Sequence, residues 1–391
     1  MFLPKLKLES RNIDIMFIKS FLGGLMFFLP ILALYYEKTL FSLVNVALIF
    51  AISEISIVIF EVPTGSIADL FGRKKTIIAS QSLALIALVF LYIGGNIFMF
   101  IIYAIINSLA RSLNSGTGEA LLYDTLKNEK KEKYYKKAIG IIPGLWSVGA
   151  AIGSIVGGYL ATVSLNLPIL LTFIPFSIVF ILIFFLREPN YKKENHKNVF
   201  KHIINASKIV IKNKQIILLF IGGFLFFAFS ETIHQFKPIF YEFKNIPLPY
   251  FGYISALVFG LGALGHFLSH DVSERIGNKK TLMLVVIFSG IFIILSTFTN
   301  WIYAGVLIAI ASFSFGLHNP VMNHLLNIEI KSANRATIIS MLNLTIHLGV
   351  AIFSPMIGYL AGLYTINIAF RISGITLFII PFVYLFLKNK K

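Results

Sequence analysis

The sequence predicts an all-α membrane protein, in which twelve transmembrane helices form two pseudo-symmetric six-helix bundles and both termini lie in the cytoplasm. Three observations predict this fold. The 391-residue chain is 57% hydrophobic and 13% charged, whereas a soluble domain is about half apolar and about a quarter charged. Twelve apolar stretches approach the length of about twenty residues that crosses a bilayer as a helix. Short motifs of the first six stretches also recur in the last six.

The predicted spans follow one another with short polar breaks. They are Ile13 to Tyr36, Phe41 to Val62, Ile77 to Gly94, Ile97 to Leu121, Ala138 to Val163, Pro168 to Leu186, Gln215 to Ile233, Tyr250 to Ser269, Thr281 to Thr299, Trp301 to Leu326, Ala336 to Leu363, and Ile368 to Leu387. The longest break follows the sixth span, so we predict an N-terminal bundle at residues 1–187, a cytoplasmic linker at 188–214 and a C-terminal bundle at 215–391. Within the linker, residues 199–211 have the pattern of a short amphipathic helix on the membrane surface. We expect this segment to act as a linker, and a regulatory role is the alternative.

Lysine and arginine cluster in alternate breaks. They precede the first span and follow each even-numbered span, whereas the other breaks hold Lys38, Lys237 and Lys244. Because cytoplasmic loops carry the excess of positive charge, we expect this cation-rich end to face the cytoplasm and the cation-poor end to face outward. The net charge of +17 follows from these short loops. It does not form one basic face, so we expect no nucleic-acid partner.

The break after the second span carries glycines, an acid and cations at fixed spacing. Its members are Gly65, Asp69, Gly72, Arg73 and Lys74, and the break after the eighth span repeats the pattern with Glu274, Gly277 and Lys279. Gly72 suits the turn that ends a helix. An acid near a helix C-terminus opposes the helix dipole, so Asp69 should pair with Arg73 or with the N-terminus of another helix. We predict a cytoplasmic latch that forms and breaks as the helices move.

This spacing resembles the cytoplasmic loop motif of the major facilitator superfamily of transporters. The fifth span also resembles that superfamily's antiporter motif, Gly-x-x-x-Gly-Pro-x-x-Gly-Gly, with serine in place of the proline. The matching residues are Gly149, Gly153, Ser154, Gly157 and Gly158. The resemblance implies the superfamily's fold, a cavity lined by spans one, four, seven and ten, and the drug/proton antiporter branch. Close packing of small residues is the alternative for the glycines.

Ionisable residues inside the spans are costly to bury and are therefore candidates for function. For proton coupling we single out Glu54, Arg111 and Glu119. Glu54 lies deep in the second span, where a carboxylate held away from water readily takes up a proton. Arg111 lies near the middle of the fourth span and resembles the superfamily's arginine that is linked to proton coupling. Glu119 lies on the same broad face of that helix, nearer the cytoplasm.

Further polar residues are candidates for the wall of the substrate cavity. They are Glu61, Asn114, Glu231, His234, His318, Asn319 and His324. Histidine titrates near neutrality and also binds metals, so a proton path, a metal site and simple packing between helices all remain open. Lys19 in the first span is expected to pair with Asp14 or to extend towards the membrane surface.

We therefore expect a proton-coupled efflux antiporter of amphipathic or drug-like small molecules, working by alternating access in the bacterial inner membrane. Its expected partners are a small-molecule substrate, protons and the lipid bilayer, and we expect a monomer without a cofactor or a resident metal. The chain carries neither an enzyme's catalytic pattern nor a nucleotide-binding loop. The alternatives are a proton symporter that takes up a sugar, peptide or organic acid, an exporter of a metal or metallophore, and a sensor or lipid scramblase.

Overall fold

The computed structural model describes residues 10–190, 207–330 and 334–388, with the backbone alone described at 62–63, 65–70 and 336. The regular structure of these residues is helical throughout. The helices are α1 (Arg11–Gly24), α2 (Leu32–Leu40), α3 (Leu43–Phe71), α4 (Arg73–Ile93), α5 (Ile97–Asn128), α6 (Tyr135–Val163), α7 (Leu167–Ile183), a segment α8 at residues 207–212, α9 (Lys214–Phe243), α10 (Leu248–Ile276), α11 (Asn278–Phe298), α12 (Trp301–Glu329), α13 (Arg335–Leu363), α14 (Ile366–Leu377) and α15 (Ile380–Tyr384).

The helices have the length and composition of a membrane-spanning protein. Within the described ranges, 11 helical stretches are long and apolar enough to cross a bilayer, with α1 and α2 counted as one stretch and α14 and α15 as another. The sixth predicted span corresponds to α7, which is apolar but has 17 residues. The chain is thus a multi-pass, all-helical membrane protein, as its composition predicts. The predicted amphipathic helix at 199–211 lies mostly outside the described residues, and its end is helical at 207–212.

The first predicted span is not one continuous helix. After α1 the chain forms a 3-10 turn at Leu29–Ile31 before α2 begins. A methyl group on Gly24 would overlap a main-chain carbonyl of α6, so the two backbones touch where α1 ends. Pro30 has no amide hydrogen to continue a helix. The amide of Phe27, freed by the break, donates to the hydroxyl of Thr172 on α7 at 3.1 Å.

α9 extends further towards the cation-poor end than hydropathy predicts. The prediction ends this helix at Ile233, but it continues to Phe243. Phe236 and Phe240 in the extension are fully buried, which keeps these turns folded against the neighbouring helices. Lys237 therefore lies inside the helix with 3% of its surface exposed, and its predicted place in an outer loop is wrong.

The two halves of the chain repeat the same local structure. Gly72 and Gly277 both have positive φ angles, of 102° and 87°, immediately before a helix. Each is followed by a lysine that donates to a carbonyl late in its own half. These two bonds join Lys74 Nζ to the Phe184 carbonyl at 2.8 Å and Lys279 Nζ to the Leu385 carbonyl at 2.6 Å. The repeated GxKKT motif thus specifies a repeated three-dimensional arrangement.

The two halves touch each other along α3 and α13 and along α6 and α10. Gly158 packs against the backbone of α10, and Gly358 packs against the start of α3. At the same level the hydroxyls of Tyr159 and Tyr253 lie 2.9 Å apart. We call these contacts, which lie towards the cation-poor end, the seam. They close that end of the molecule.

Candidate functional site

A cavity of about 960 Å³ lies between the two halves of the chain. Its size is at the upper end of the range for ligand pockets, about 300–1,000 Å³. Tyr36 and Phe50 line it near the seam, where Phe50 packs edge-on against Phe236 of α9 with ring centroids 5.6 Å apart. Leu186 and Glu119 line it near the cation-rich end. The cavity therefore extends from the closed seam towards the cation-rich end.

Glu54 is the most buried carboxylate of the cavity wall and joins the two halves. It lies on α3 with 6% of its surface exposed. One carboxylate oxygen accepts a hydrogen bond from Gln235 of α9 at 3.1 Å, and the other lies 2.6 Å from His347 Nδ1 of α13. Gln235 in turn accepts a hydrogen bond from Ser354 at 3.1 Å. A carboxylate of the first half is thus bound by two side chains of the second.

The wall formed by the first half carries two cations, Arg111 on α5 and Lys19 on α1. Both line the cavity. Lys19 Nζ donates to Asn114 Oδ1 at 2.5 Å, and Asn114 lies one helical turn beyond Arg111. Asp14, the partner expected for Lys19, instead lines a separate groove between α1 and α7. Glu119 lies about two turns from Arg111 towards the cation-rich end.

The wall formed by α9 carries Glu231, His234 and Lys237 on successive turns, and all three line the cavity. Lys237 Nζ lies 3.2 Å from His234 Nδ1. Glu231 interacts electrostatically with Glu54, Arg111, Lys237 and His347. Ionisable groups of both halves therefore influence one another inside the cavity.

Amide and aromatic side chains complete the lining. The amides are Gln81, Asn107, Asn114, Gln235, Asn319, Asn323 and Asn343, and the aromatic residues include Tyr103, Trp146, Phe176, Phe227, Phe259 and Phe315. Amides can donate and accept hydrogen bonds, while rings provide adaptable apolar contact. Such a lining suits a small molecule with both polar groups and an apolar body.

Three of the predicted cavity residues lie elsewhere among the described residues. His318 is fully buried inside the second half, where Nε2 lies 2.8 Å from the Tyr384 hydroxyl and the ring stacks on Phe226. His324 is exposed on α12. Glu61 accepts a weak hydrogen bond from Ser115 at 3.3 Å. The described part of the chain contains no group of three or more His, Asp or Glu side chains placed to hold a metal ion.

The predicted latch region is described in part, because the side chain of Asp69 and the surroundings of Gly65 lie outside what the structure describes. Arg73 Nε lies 3.4 Å from Asp124 of α5. The amides of Arg73 and Lys74 donate to the carboxylate of Glu188 at 2.6 and 2.8 Å, so Glu188 binds the N-terminus of α4. In the second half, Glu274 lies 3.5 Å from His270.

The glycines of α6 form a surface on which two other helices lie. Methyl groups on Gly149 and Gly157 would overlap carbonyls of Phe21 and Phe27, and one on Gly153 would lie 3.1 Å from Leu25 Cα. The backbone of the broken first span therefore packs directly against these three glycines. Gly158 faces α10 across the seam. Ser154, one helical turn before Gly158, is fully buried.

Several site residues were not assigned from the sequence. His347 and Gln235 lie 293 and 181 positions from Glu54 in the chain. Ser354 also belongs to the second half, so the contacts of this group depend on how the halves pack. Lys237 could have been found, because it continues the three-residue spacing of Glu231 and His234 along α9.

A transmembrane helical fold around a central cavity, closed at one end and lined by ionisable, amide and aromatic side chains, is the arrangement expected of a membrane transporter. The family model of the Major Facilitator Superfamily matches residues 16–343, and the chain belongs to this superfamily. Its transporters sit in a membrane and bind small-molecule substrates.

Known proteins of similar sequence or fold are also transporters. An uncharacterized MFS-type transporter of Bacillus subtilis, YxaM, is 29% identical over 236 residues, which is 59% of this chain and 58% of that protein. One of Methanocaldococcus jannaschii, MJ1560, is 20% identical over 94% of this chain and 96% of that protein.

Two solved structures show the same fold. The nucleoside transporter NupG has a TM-score of 0.82 at 17% identity, covering 97% of this chain and 98% of that one. The D-xylose-proton symporter has a TM-score of 0.77 at 14% identity, covering 97% of this chain and 98% of that one.

Proposed function

We propose that the protein is a proton-coupled secondary transporter of the bacterial inner membrane that exports amphipathic or drug-like small molecules. Two six-helix bundles, at residues 1–187 and 215–391, rock about the central cavity as a monomer with both termini in the cytoplasm. The observation that carries this proposal is the contact of Glu54 with His347 and Gln235 across the two halves.

The Glu54 contact links a proton to the seam. An ionised carboxylate forms stronger hydrogen bonds than a neutral one, so a proton on Glu54 weakens the bonds to His347 and Gln235. The proton affinity of Glu54 therefore differs between the state with a closed seam and the state with an open seam. A difference of this kind is what allows a gradient to drive a conformational cycle. The charge of Arg111 acts on the protonation of the cavity carboxylates. Glu119, which lies nearer the cation-rich end, carries protons towards that end.

Export is supported by the glycines of α6, which resemble an antiporter motif and lie between the first span and α10. The cavity extends towards the cation-rich end, the end proposed to face the cytoplasm, which is the state in which an exporter would bind its substrate and an importer would release it. A solute from the cytoplasm would enter the cavity directly.

Flux in membrane vesicles tests this function. Inverted vesicles with an imposed pH gradient, acidic inside, should accumulate dyes or drugs of an amphipathic panel in exchange for protons. Glu54→Gln should abolish gradient-driven accumulation, because the side chain can no longer bind and release a proton. Glu132→Gln, an exposed carboxylate outside the cavity, is the matched control. Full proton-driven flux in Glu54→Gln would overturn the coupling role of Glu54.

The amide-rich lining favours a second candidate function, uptake of a polar solute together with protons. Seven amide side chains in the lining would suit a sugar, a peptide or an organic acid. Right-side-out vesicles with an inward proton gradient distinguish the two functions. Accumulation of such a solute inside them would reject export, and its absence together with active export would reject uptake.

A further inference from the structure

The first-half wall of the cavity carries a strip of positive charge formed by Lys19, Asn114 and Arg111. Lys19 is bound to the neutral amide of Asn114, and Arg111 is one turn away on the same helix. Both cationic groups line the cavity. We call these three residues the Lys19–Arg111 strip.

The two cations of this strip receive little compensation from acids in the part of the chain that the structure describes. Over the described residues, no carboxylate forms an ion pair with Lys19 or Arg111. The carboxylate of Glu54 is already hydrogen-bonded to His347 and Gln235. Glu119 is displaced by about 12 Å along α5.

Glu231 interacts with Arg111 from the opposite wall, but it also interacts with Lys237. The carboxylate of Glu231 therefore interacts with two cations, Arg111 and Lys237. The hydrogen-bond partner of Lys19 is the amide of Asn114.

A charged side chain at membrane depth is costly, and it normally has a partner of opposite charge or faces water. A ligand with an anionic group would offset this cost. A planar guanidinium and an ammonium are the groups that bind carboxylates and phosphates in proteins.

We propose that the Lys19–Arg111 strip binds the anionic oxygen group, carboxylate or phosphate, of the transported molecule. The substrate is then a small organic anion. Its apolar body lies against rings such as Trp146 and Phe259, and its other polar groups meet the cavity amides. This inference rests on the proposed function in one respect, that the cavity is the transport path.

Binding to the purified full-length protein tests the charge preference without any proton gradient. The probes share one ring and differ in charge: benzoate and phenyl phosphate are anions, benzamide is neutral and benzylammonium is a cation. The affinities, measured from the ligand-dependent rise in melting temperature, should favour an anion over benzamide and benzylammonium by about tenfold or more. Comparing benzoate with phenyl phosphate identifies the preferred anionic group. Equal binding of all four probes would overturn the proposal.

Substitutions at Lys19 then test whether the anion binds to the strip. Lys19→Gln keeps a hydrogen-bonding group beside Asn114 but removes the charge, so the affinity for the preferred anion should fall about tenfold or more. Lys19→Arg should retain most of it. Lys136→Gln, which removes an exposed cation at the start of α6, should bind as the wild type does. Unchanged anion affinity in Lys19→Gln would overturn the site.

The outcomes separate this inference from the proposed function. Anion binding that requires Lys19, in a protein without proton-driven flux, would support the strip and reject coupling. Proton-driven export of neutral or cationic compounds that is unaffected by Lys19→Gln would support coupling and reject the strip.

Discussion

At the scale of single residues, the Glu54–His347 bond carries the most consequence. The two side chains are 293 positions apart in the chain, yet they lie 2.6 Å apart in the cavity wall. A bond between a charged group and a hydrogen-bond donor contributes about 1.5–3 kcal/mol. Because the partners belong to opposite halves, this free energy stabilises the closed seam.

Loss of the imidazole should therefore open the seam. The chain has no cysteine, so spin labels can be attached at Asn166→Cys and Asn300→Cys, on cation-poor connections of the two halves. In His347→Ala the ratio of long to short label distances should rise about tenfold or more. His324→Ala, an exposed histidine, should behave like the wild type. An unchanged distance distribution in His347→Ala would show that this bond does not hold the seam.

At this scale, the sequence predicted which residues are candidates for function, but not which residues they contact. Glu54 and Arg111 stood out because charge is costly inside a membrane span, and both line the cavity. His318 was selected because a histidine in a span can relay protons or bind a metal, but it is hydrogen-bonded to Tyr384 within its own half. A span's hydropathy identifies which residues are unusual. Which of them face each other is decided by packing between helices that are distant in sequence.

At the scale of helices, α6 and the broken first span depend on each other. Gly149 and Gly157 leave space that carbonyls of the first span fill. Hydropathy predicted both segments but not the break, because the break depends on this contact and on Pro30. The length of α9 was missed for a similar reason, since burial of Phe236 and Phe240 extends it.

A methyl group at this contact should destabilise the fold. In Gly157→Ala the new carbon would overlap the Phe27 carbonyl, and overpacking of this kind costs about 1–3 kcal/mol. Gly144→Ala is the matched control on the same helix, because nothing lies within 4 Å of its added carbon; it should be neutral or stabilising by up to about 1 kcal/mol. Thermal unfolding in detergent measures both. Equal melting temperatures would contradict the proposed packing.

At the scale of the whole molecule, the contacts between the halves gather at one end. Gly158 and Gly358 bring backbones together on opposite sides of the seam, at matching places in the two halves. The repeated motifs predicted that the halves are related. The closed end could not be predicted, because the proposed transport cycle requires the same sequence to form the opposite state as well.

A bulky residue in the seam should favour that opposite state. Leucine at Gly358 would collide with Leu43 and Ala47 of α3, so Gly358→Leu should lengthen the distance between labels at positions 166 and 300 and slow transport. In Gly362→Leu, one turn further on, the nearest atom to the added carbon lies 3.9 Å away. That variant should keep both properties of the wild type. Identical distances in the two variants would contradict the seam as the closing contact.

The direction of the cavity has a consequence for how fast solutes arrive. Exposed lysines such as Lys127 and Lys133 lie at the end towards which the cavity extends, and an excess of like charge at one end of a protein raises the local concentration of oppositely charged molecules there. Anions would therefore be captured from that compartment more quickly at low ionic strength than at high. Solutes in the other compartment would gain no such advantage until the protein has turned over.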